Sequence, residues 1–141
     1  MKKYWHEKTI EFPIYSGNLK IILTNHIEAV NNLFNVEDFS YASTYHRGMD
    51  NRRTEAIVLN FDQECAITHG TIAHECIHAA DFLFESIDAR HQFDNPESYT
   101  YLVGWICNEV YDFIHQKKFQ SKIKLHKNKW TKTDKSNAST N

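Results

Sequence analysis

The chain has 141 residues, of which 41% are hydrophobic, and its net charge is only −2. This length predicts a single domain, and the apolar content excludes a disordered chain. No apolar run approaches the roughly 18 residues that span a membrane, and the N-terminus lacks the apolar stretch of a signal peptide, so we expect a cytoplasmic protein.

Charge is distributed unevenly along the chain. Residues 1–116 contain seventeen acidic and eight basic residues, whereas the sequence from Lys117 onward contains eight lysines and one acid. Because residues 1–116 are acidic, we do not expect the protein to bind nucleic acid. We therefore predict one domain over residues 1–118, followed by a basic, polar and flexible tail over residues 119–141.

The three cysteines predict buried free thiols rather than a metal cluster. Cys65, Cys76 and Cys107 are widely spaced and form no CxxC pair. Two of them, Cys76 and Cys107, lie within apolar helical patterns. Reduced thiols are consistent with an intracellular protein.

The first half of the chain predicts short strands and one short helix. Strands are expected over residues 9–15, where Pro13 suggests an edge or irregular strand, and over residues 19–24. Asn25 is a candidate cap for a helix over residues 26–34. A further strand is expected over residues 39–46, then a turn over 47–53. The apolar residues 56–61 predict a strand that is internal or half-buried.

Two long helices dominate the second half of the predicted structure. Thr68 is expected to open the first, over residues 69–87. Apolar residues recur there at helical spacing and define a buried face: Ile72, Ala73, Cys76, Ile77, Ala80, Leu83, Phe84 and Ile87. Asn95-Pro96 is a good start for the second helix, which is expected to end near residue 117. Its core residues are Leu102, Val103, Ile106, Val110, Phe113 and Ile114.

The sequence HECIH, residues 74–78, lies in the middle of the first long helix. His74 and His78 are one turn apart on one face, so both imidazoles can bind a single zinc ion. Glu75 is rotated by about 100° from His74, so it can reach a water on that ion without being a ligand. This is the arrangement in which two histidines bind zinc and a glutamate acts as general base.

A catalytic zinc needs a third protein ligand and an open fourth position. The candidates are Asp81, His91, Asp94, Glu97 and His115. We favour Glu97, because the second helix can fold back antiparallel beside the first and carry this carboxylate to the imidazoles. Gly104, on the same stripe, would allow the helices to approach closely. The alternative is that Glu97 is a first-turn acid that interacts favourably with the helix dipole.

HECIH followed by eighteen residues and Glu97 resembles the gluzincin group of zinc metallopeptidases. The match covers His74, Glu75, His78 and Glu97, and it extends over about residues 56–116 if residues 56–61 are counted as the edge strand beside the substrate. The small size is similar to that of zincin-like proteins of bacteria and their phages. This resemblance implies an α+β, minimal zincin-like fold, in which a small mixed or antiparallel sheet packs on two long helices that carry the zinc ligands.

The resemblance implies hydrolysis of peptide bonds in a peptide or protein substrate, with Zn²⁺ as cofactor and Glu75 as the general base. An oxyanion donor is also expected. The candidates are Tyr101, His69, His46, Tyr45 and His115. Tyr101 is preferred because it shares the stripe of Glu97, although a purely structural tyrosine is the alternative. Tyr101 also stands where many gluzincins have an acid that supports a ligand histidine. Asp81 is an alternative support, and a solvated acid is the competing interpretation.

Two other functions are compatible with these residues. The first is a zinc-binding interaction module without catalysis, although such a module has no use for the general base Glu75 and usually has four protein ligands. The second is a metal-dependent hydrolase of a non-peptide substrate, because the same ligands serve any carbonyl hydrolysis.

Overall fold

The computed structural model describes residues 2–37, 40, 42–47, 56–61 and 67–136. Its elements, in chain order, are β1 (Trp5–Glu11), β2 (Asn18–Thr24), α1 (Ile27–Phe34), β3 (Ala42–Arg47), β4 (Ala56–Phe61), α2 (His69–Ser86) and α3 (Glu97–Ser136). The fold is therefore α+β, as the sequence predicts. Of the helices in the described part of the chain, none is long and apolar enough to cross a membrane.

The four described strands form one mixed sheet in the order β1-β2-β4-β3. Strands β1 and β2 are antiparallel, β2 and β4 are parallel, and β4 and β3 are antiparallel. The apolar strand β4 is thus internal, as one of the two predictions for it stated. Its assignment as the edge strand is wrong, because β3 lies outside it and forms that edge of the described sheet.

The main core lies between one face of the sheet and the helices α2 and α3. Alternate residues of β2, namely Leu19, Ile21 and Leu23, point into this core, as the two-residue period of a strand requires. The helices contribute mainly Ile72, Cys76, Ala79, Ala80, Leu83, Phe84, Leu102, Ile106, Val110, Phe113 and Ile114. The predicted core face of α3 is confirmed except for Val103, which is half-buried.

Neighbouring residues of strand β3 contact helices that lie on opposite faces of the sheet. Thr44 hydrogen-bonds to Glu75 of α2, whereas the ring of the next residue, Tyr45, stacks on Phe34 of α1 at a centroid distance of 4.9 Å. Successive strand residues point to opposite faces. Helix α1 therefore packs on the face opposite α2.

Several boundaries differ from the sequence predictions for physical reasons. Strand β1 ends at Glu11, before Pro13, because proline has no N–H to donate to a ladder. Asn25 does not cap α1. Its side chain instead accepts from Tyr4 N and donates to Lys2 O, and the cap position is His26. Ile77, expected in the core, is 44% exposed.

Helix α3 is longer than the predicted helix that ends near residue 117, since it continues to Ser136. The last buried side chain described in it is Ile114. The backbone therefore shows no break at the predicted domain boundary of residue 118. The turn predicted over residues 47–53 lies, beyond Arg47, outside the described residues, and so does Cys65.

Candidate metal centre

Helix α2 carries the HECIH residues, with His74 and His78 exposed and Glu75 buried. It begins where predicted, because the Thr68 hydroxyl caps it by accepting a 3.1 Å hydrogen bond from Thr71 N. The predicted line of His74, His78, Asp81 and Glu85 is exposed along its length. The imidazoles are therefore accessible to an ion from solvent.

The two imidazoles approach each other through their Nε2 atoms. The Nε2 atoms of His74 and His78 are 3.1 Å apart, and the ring planes make an angle of 81°. Two nitrogen ligands of one tetrahedral zinc, with Zn–N bonds of about 2.0–2.1 Å, are separated by about 3.3 Å. The observed separation of the two nitrogen atoms is close to this value, so the imidazole pair fits one zinc ion.

Glu75 lies on a different side of the helix and is buried. Its residue exposure is 7%, and it is the one carboxylate that is buried among the described residues. Thr44 Oγ1, on the edge strand β3, donates to Glu75 Oε2 at 2.6 Å and also lies 3.1 Å from the main-chain Glu75 O. Because an unpaired buried carboxylate is strongly unfavourable, this hydroxyl helps to hold the acid at the junction of α2 and β3.

Asp81 is held by the other long helix. Tyr99 Oη donates a 2.6 Å hydrogen bond to Asp81 Oδ1. Burial, and then this contact with the carboxylate, raises the pKa of Tyr99 above its ordinary value. Asp81 thus has a phenol partner on α3, which is a different contact from the histidine support considered from the sequence.

Glu97 does not join the imidazoles in this structure. Within the described parts of the chain, no group of three His, Cys, Asp or Glu side chains is arranged to hold a metal ion. Glu97 belongs to a stripe with Tyr101, Gly104 and Asn108, and all four residues are exposed. A Cβ atom added at Gly104 would meet nothing within 4 Å, so the predicted close approach of the helices at Gly104 is wrong.

The separation of Glu97 from His78 follows from the length of α2. This helix continues to Ser86, and Tyr99 of α3 contacts both Asp81 and Phe84. Glu97, two residues earlier on α3, is therefore displaced from His78 by roughly 8–12 Å along the helix axis. Its role as a third ligand stays a prediction.

The other candidate ligands have aromatic neighbours. His91 packs on Tyr99 at a centroid distance of 4.4 Å and on Phe93 at 5.0 Å. The ring of His115 packs on Tyr111, which in turn stacks on His69. His69 lies at the start of α2, and His115 lies near the middle of α3. Asp94 is exposed in the connection between the helices.

The candidate oxyanion donors are divided between different surfaces. Tyr101 is 75% exposed and lines a hollow with Pro13, Ile14 and Trp105. Tyr45 and His46 instead lie on β3, beside the Thr44 that contacts Glu75. The structure therefore brings His46, rather than the preferred Tyr101, to the face of the sheet that contacts α2, whereas Tyr45 points to the opposite face.

The described cysteines behave as predicted, as free thiols. Cys76 is buried and Cys107 is half-buried. Burial, and then the neighbouring Cys107, raises the pKa of the Cys76 thiol well above its ordinary value. A thiol in this state is a poor metal ligand, because the thiolate is the form that binds.

Sequence reasoning missed Thr44 and Phe82 as neighbours of the site. Phe82 lies one turn after His78, and its ring stacks on that of His46 at 5.6 Å. The period of two in β3 shows that Thr44 and His46 share a face. The sequence did not show that this strand lies against α2.

Comparisons with known proteins find no matching family, no similar curated protein and no similar solved structure.

Proposed function

We propose that this protein is a zinc-dependent metallopeptidase with a minimal zincin-like fold. Peptides or proteins are its substrates, and Glu75 is the general base. The proposal is supported by the HECIH sequence and by its placement on α2. One side of this helix presents the imidazoles to solvent, and another packs against the sheet edge.

This proposal rests mainly on one observation. A buried carboxylate, Glu75, directly follows the first of two exposed imidazoles whose Nε2 atoms lie 3.1 Å apart. Burying a carboxylate costs stability, whereas a base beside a metal site benefits from a dry environment. A zinc module that only binds a partner has no need for this carboxylate.

In the proposal, His74 and His78 bind zinc through Nε2, and Glu97 is the third ligand. When bound, zinc lowers the pKa of a coordinated water and polarises a carbonyl group. For Glu97 to participate, the first turn of α3 has to turn its exposed stripe toward α2. A carboxylate from elsewhere in the chain is the alternative third donor.

The chain's own contribution to the reaction is proton transfer. Glu75 accepts a proton from the attacking water and returns it to the leaving amine. Thr44 fixes the orientation of the carboxylate, which leaves Oε1 to face the water. His46, which shares a face of β3 with Thr44, is a candidate to donate a hydrogen bond to the oxyanion, whereas Tyr45 faces α1 and Tyr101 is a candidate only if α3 moves.

The test separates metal binding from catalysis. Purified wild-type protein is analysed for metal content and incubated with a mixed peptide library, beside Glu75→Gln, the double variant His74→Ala/His78→Ala and the control Glu85→Gln. Glu85 is an exposed acid two turns after His78, so its substitution should change neither zinc nor activity.

We expect Glu75→Gln to keep zinc and lose hydrolysis, and the double histidine variant to lose both. A double variant that remains fully loaded with zinc would disprove the metal assignment. Full hydrolytic activity in Glu75→Gln would show that another group accepts the proton.

A further inference from the structure

A hollow of about 520 Å³ lies at the outer edge of strand β3. Its walls are residues 33–36 at the end of α1, residues 44–46 of β3, and Phe82 of α2. Because Tyr45 faces α1 and His46 faces α2, the hollow extends around the sheet edge from one face to the other. This volume is in the range of pockets that hold small organic groups.

Half of the eight described residues that line the hollow carry rings, and two of the others, Asn35 and Thr44, are polar. Phe34 and Tyr45 are stacked with an angle of 12° between their planes, and His46 and Phe82 with an angle of 19°. Leu33 and Val36 add aliphatic surface, and the described lining contains no Lys, Arg, Asp or Glu. Such walls favour a planar apolar group, since rings gain from offset and edge contacts beyond simple burial.

Thr44 connects this hollow to the candidate catalytic base. Thr44 lines the hollow, and its hydroxyl donates the 2.6 Å hydrogen bond to Glu75 Oε2. Phe82 makes a second connection, because it lies one helical turn beyond His78. Thr44 and Phe82 therefore bring the hollow near Glu75 and His78, so that a peptide with a side chain in the hollow would lie near the proposed catalytic residues.

We propose that this hollow is the specificity pocket of the enzyme and binds an aromatic side chain of the peptide substrate, next to the bond that is cleaved. The inference rests on the proposed peptidase function and adds the substrate class to it. The occupant is aromatic because four rings line the walls, and uncharged because no charged side chain in the described lining can pair with it.

The first arm of the test measures cleavage. Peptides that differ only in carrying Phe, Ala or Lys next to the scissile bond are compared with wild-type protein and with Leu33→Lys, which places a charge at the rim. Leu33 is 42% exposed, so this variant should fold. Ile14→Lys is the matched control, since Ile14 is 83% exposed and lines the separate hollow beside Tyr101.

We expect kcat/KM to favour the Phe peptide over the Ala peptide by about tenfold or more in wild type and in Ile14→Lys. Leu33→Lys should lose most of this preference. Phe82→Ala should lower it too, with a melting curve to verify that this variant is folded. Cleavage that is equally fast for all three peptides, or a preference that Leu33→Lys leaves unchanged, overturns the pocket while the peptidase function stands.

The second arm measures binding without catalysis. The Glu75→Gln protein is titrated with N-acetyl-phenylalanine amide and N-acetyl-lysine amide, and NMR shifts of Leu33 methyl groups and the His46 ring are followed. Saturable shifts with the Phe compound alone support the pocket even if no peptide is cleaved, in which case only the proposed peptidase function fails. Absence of shifts with the Phe compound overturns the pocket whatever the cleavage arm shows.

Discussion

Thr44 and Glu75, thirty-one residues apart in sequence, are joined by a hydrogen bond of 2.6 Å between the edge strand and the HECIH helix. The bond is short and its acceptor is a carboxylate oxygen. Hydrogen bonds to carboxylates belong to the stronger class of protein hydrogen bonds. It fixes one carboxylate oxygen. The proposed base is therefore oriented by the sheet as well as by its own helix.

Replacing Thr44 should weaken catalysis more than binding. In Thr44→Val the side-chain shape is nearly kept while the hydroxyl is lost, and we expect kcat to fall about tenfold or more with little change in KM, because a hydrogen bond to a charged group contributes about 1.5–3 kcal/mol. Thr44→Ser should retain most activity. Steady-state kinetics and zinc content provide the measurement.

Thr24→Val is the matched control for Thr44→Val. The Thr24 side chain is buried, and its hydroxyl donates a 2.6 Å hydrogen bond to the main-chain oxygen of Tyr4, directly before β1 and away from the HECIH helix. This control should lose some stability and keep its kcat. Equal kcat values for Thr44→Val and wild type would contradict the positioning role of Thr44.

Zinc affinity should distinguish Glu97 from its competitors. We predict that Glu97→Ala weakens zinc binding strongly, whereas His91→Ala, Asp94→Ala and His115→Ala leave it nearly unchanged. His91 and His115 have aromatic neighbours in the structure, and His115 is eighteen residues along α3 from Glu97, which is about 27 Å at 1.5 Å per residue.

A competitive chelator titration of these four variants measures the affinities. If zinc is released by His91→Ala or His115→Ala but not by Glu97→Ala, a three-histidine site replaces the gluzincin-like one. If all four variants keep wild-type affinity, the third ligand is a residue outside this set.

The free energy of unfolding should decrease at alkaline pH because of Tyr99. The raised pKa means that the native state keeps the phenol protonated at pH values where the unfolded chain has lost its proton. This contribution to the free energy of unfolding is complete below the ordinary pKa of about 10 and decreases as pH rises above it. Tyr99→Phe removes both the titration and the hydrogen bond to Asp81.

Urea denaturation at several pH values between about 8 and 11 tests this dependence. We expect wild type to lose more stability than Tyr99→Phe over the upper part of this range. At neutral pH, Tyr99→Phe should be less stable by about 1–2 kcal/mol through the lost hydrogen bond. Parallel pH profiles of the two proteins would show that the Tyr99 phenol is not perturbed.

Truncation tests the end of the domain. Ending the chain after Gln120 removes sixteen residues of α3 through Ser136 but none of the buried side chains described in it, the last of which is Ile114. We predict a nearly unchanged melting temperature and unchanged zinc content. A fall of more than about 5 °C, equivalent to about 1 kcal/mol or more, would show that the removed segment packs on the body.

The start and the buried face of α2 could be predicted closely from the sequence. Thr68 is the cap of α2, and the periodic residues Ile72, Cys76, Leu83 and Phe84 are buried as expected. These features depend on local periodicity and on one cap, both of which are visible in a short window. The exposure of His74 and His78 follows from the same periodicity.

Relationships between elements could not be predicted in the same way. The position of Glu97 depends on how many residues α2 continues beyond His78, and the apolar pattern does not determine the register of α3 against α2. The contact between Thr44 and Glu75 depends on strand order, because β3 is the edge and β4 is internal. Each is a tertiary fact without a local sequence signal.

The parallel pairing of β2 with β4 also affects how the protein folds. Leu19 lies opposite Ile57 and Leu23 opposite Phe61, so α1 and β3 must be accommodated within the intervening chain before the sheet closes. Such distant pairings form slowly because loop closure must precede them, whereas a helical pair such as α2 and α3 relies on nearer contacts. The imidazole pair can consequently be present in a partly folded chain that has not yet acquired a buried Glu75. In the proposed enzyme, the imidazole pair on α2 would then be available to zinc without the sheet, whereas catalytic competence would arise only when the edge strand docks on α2.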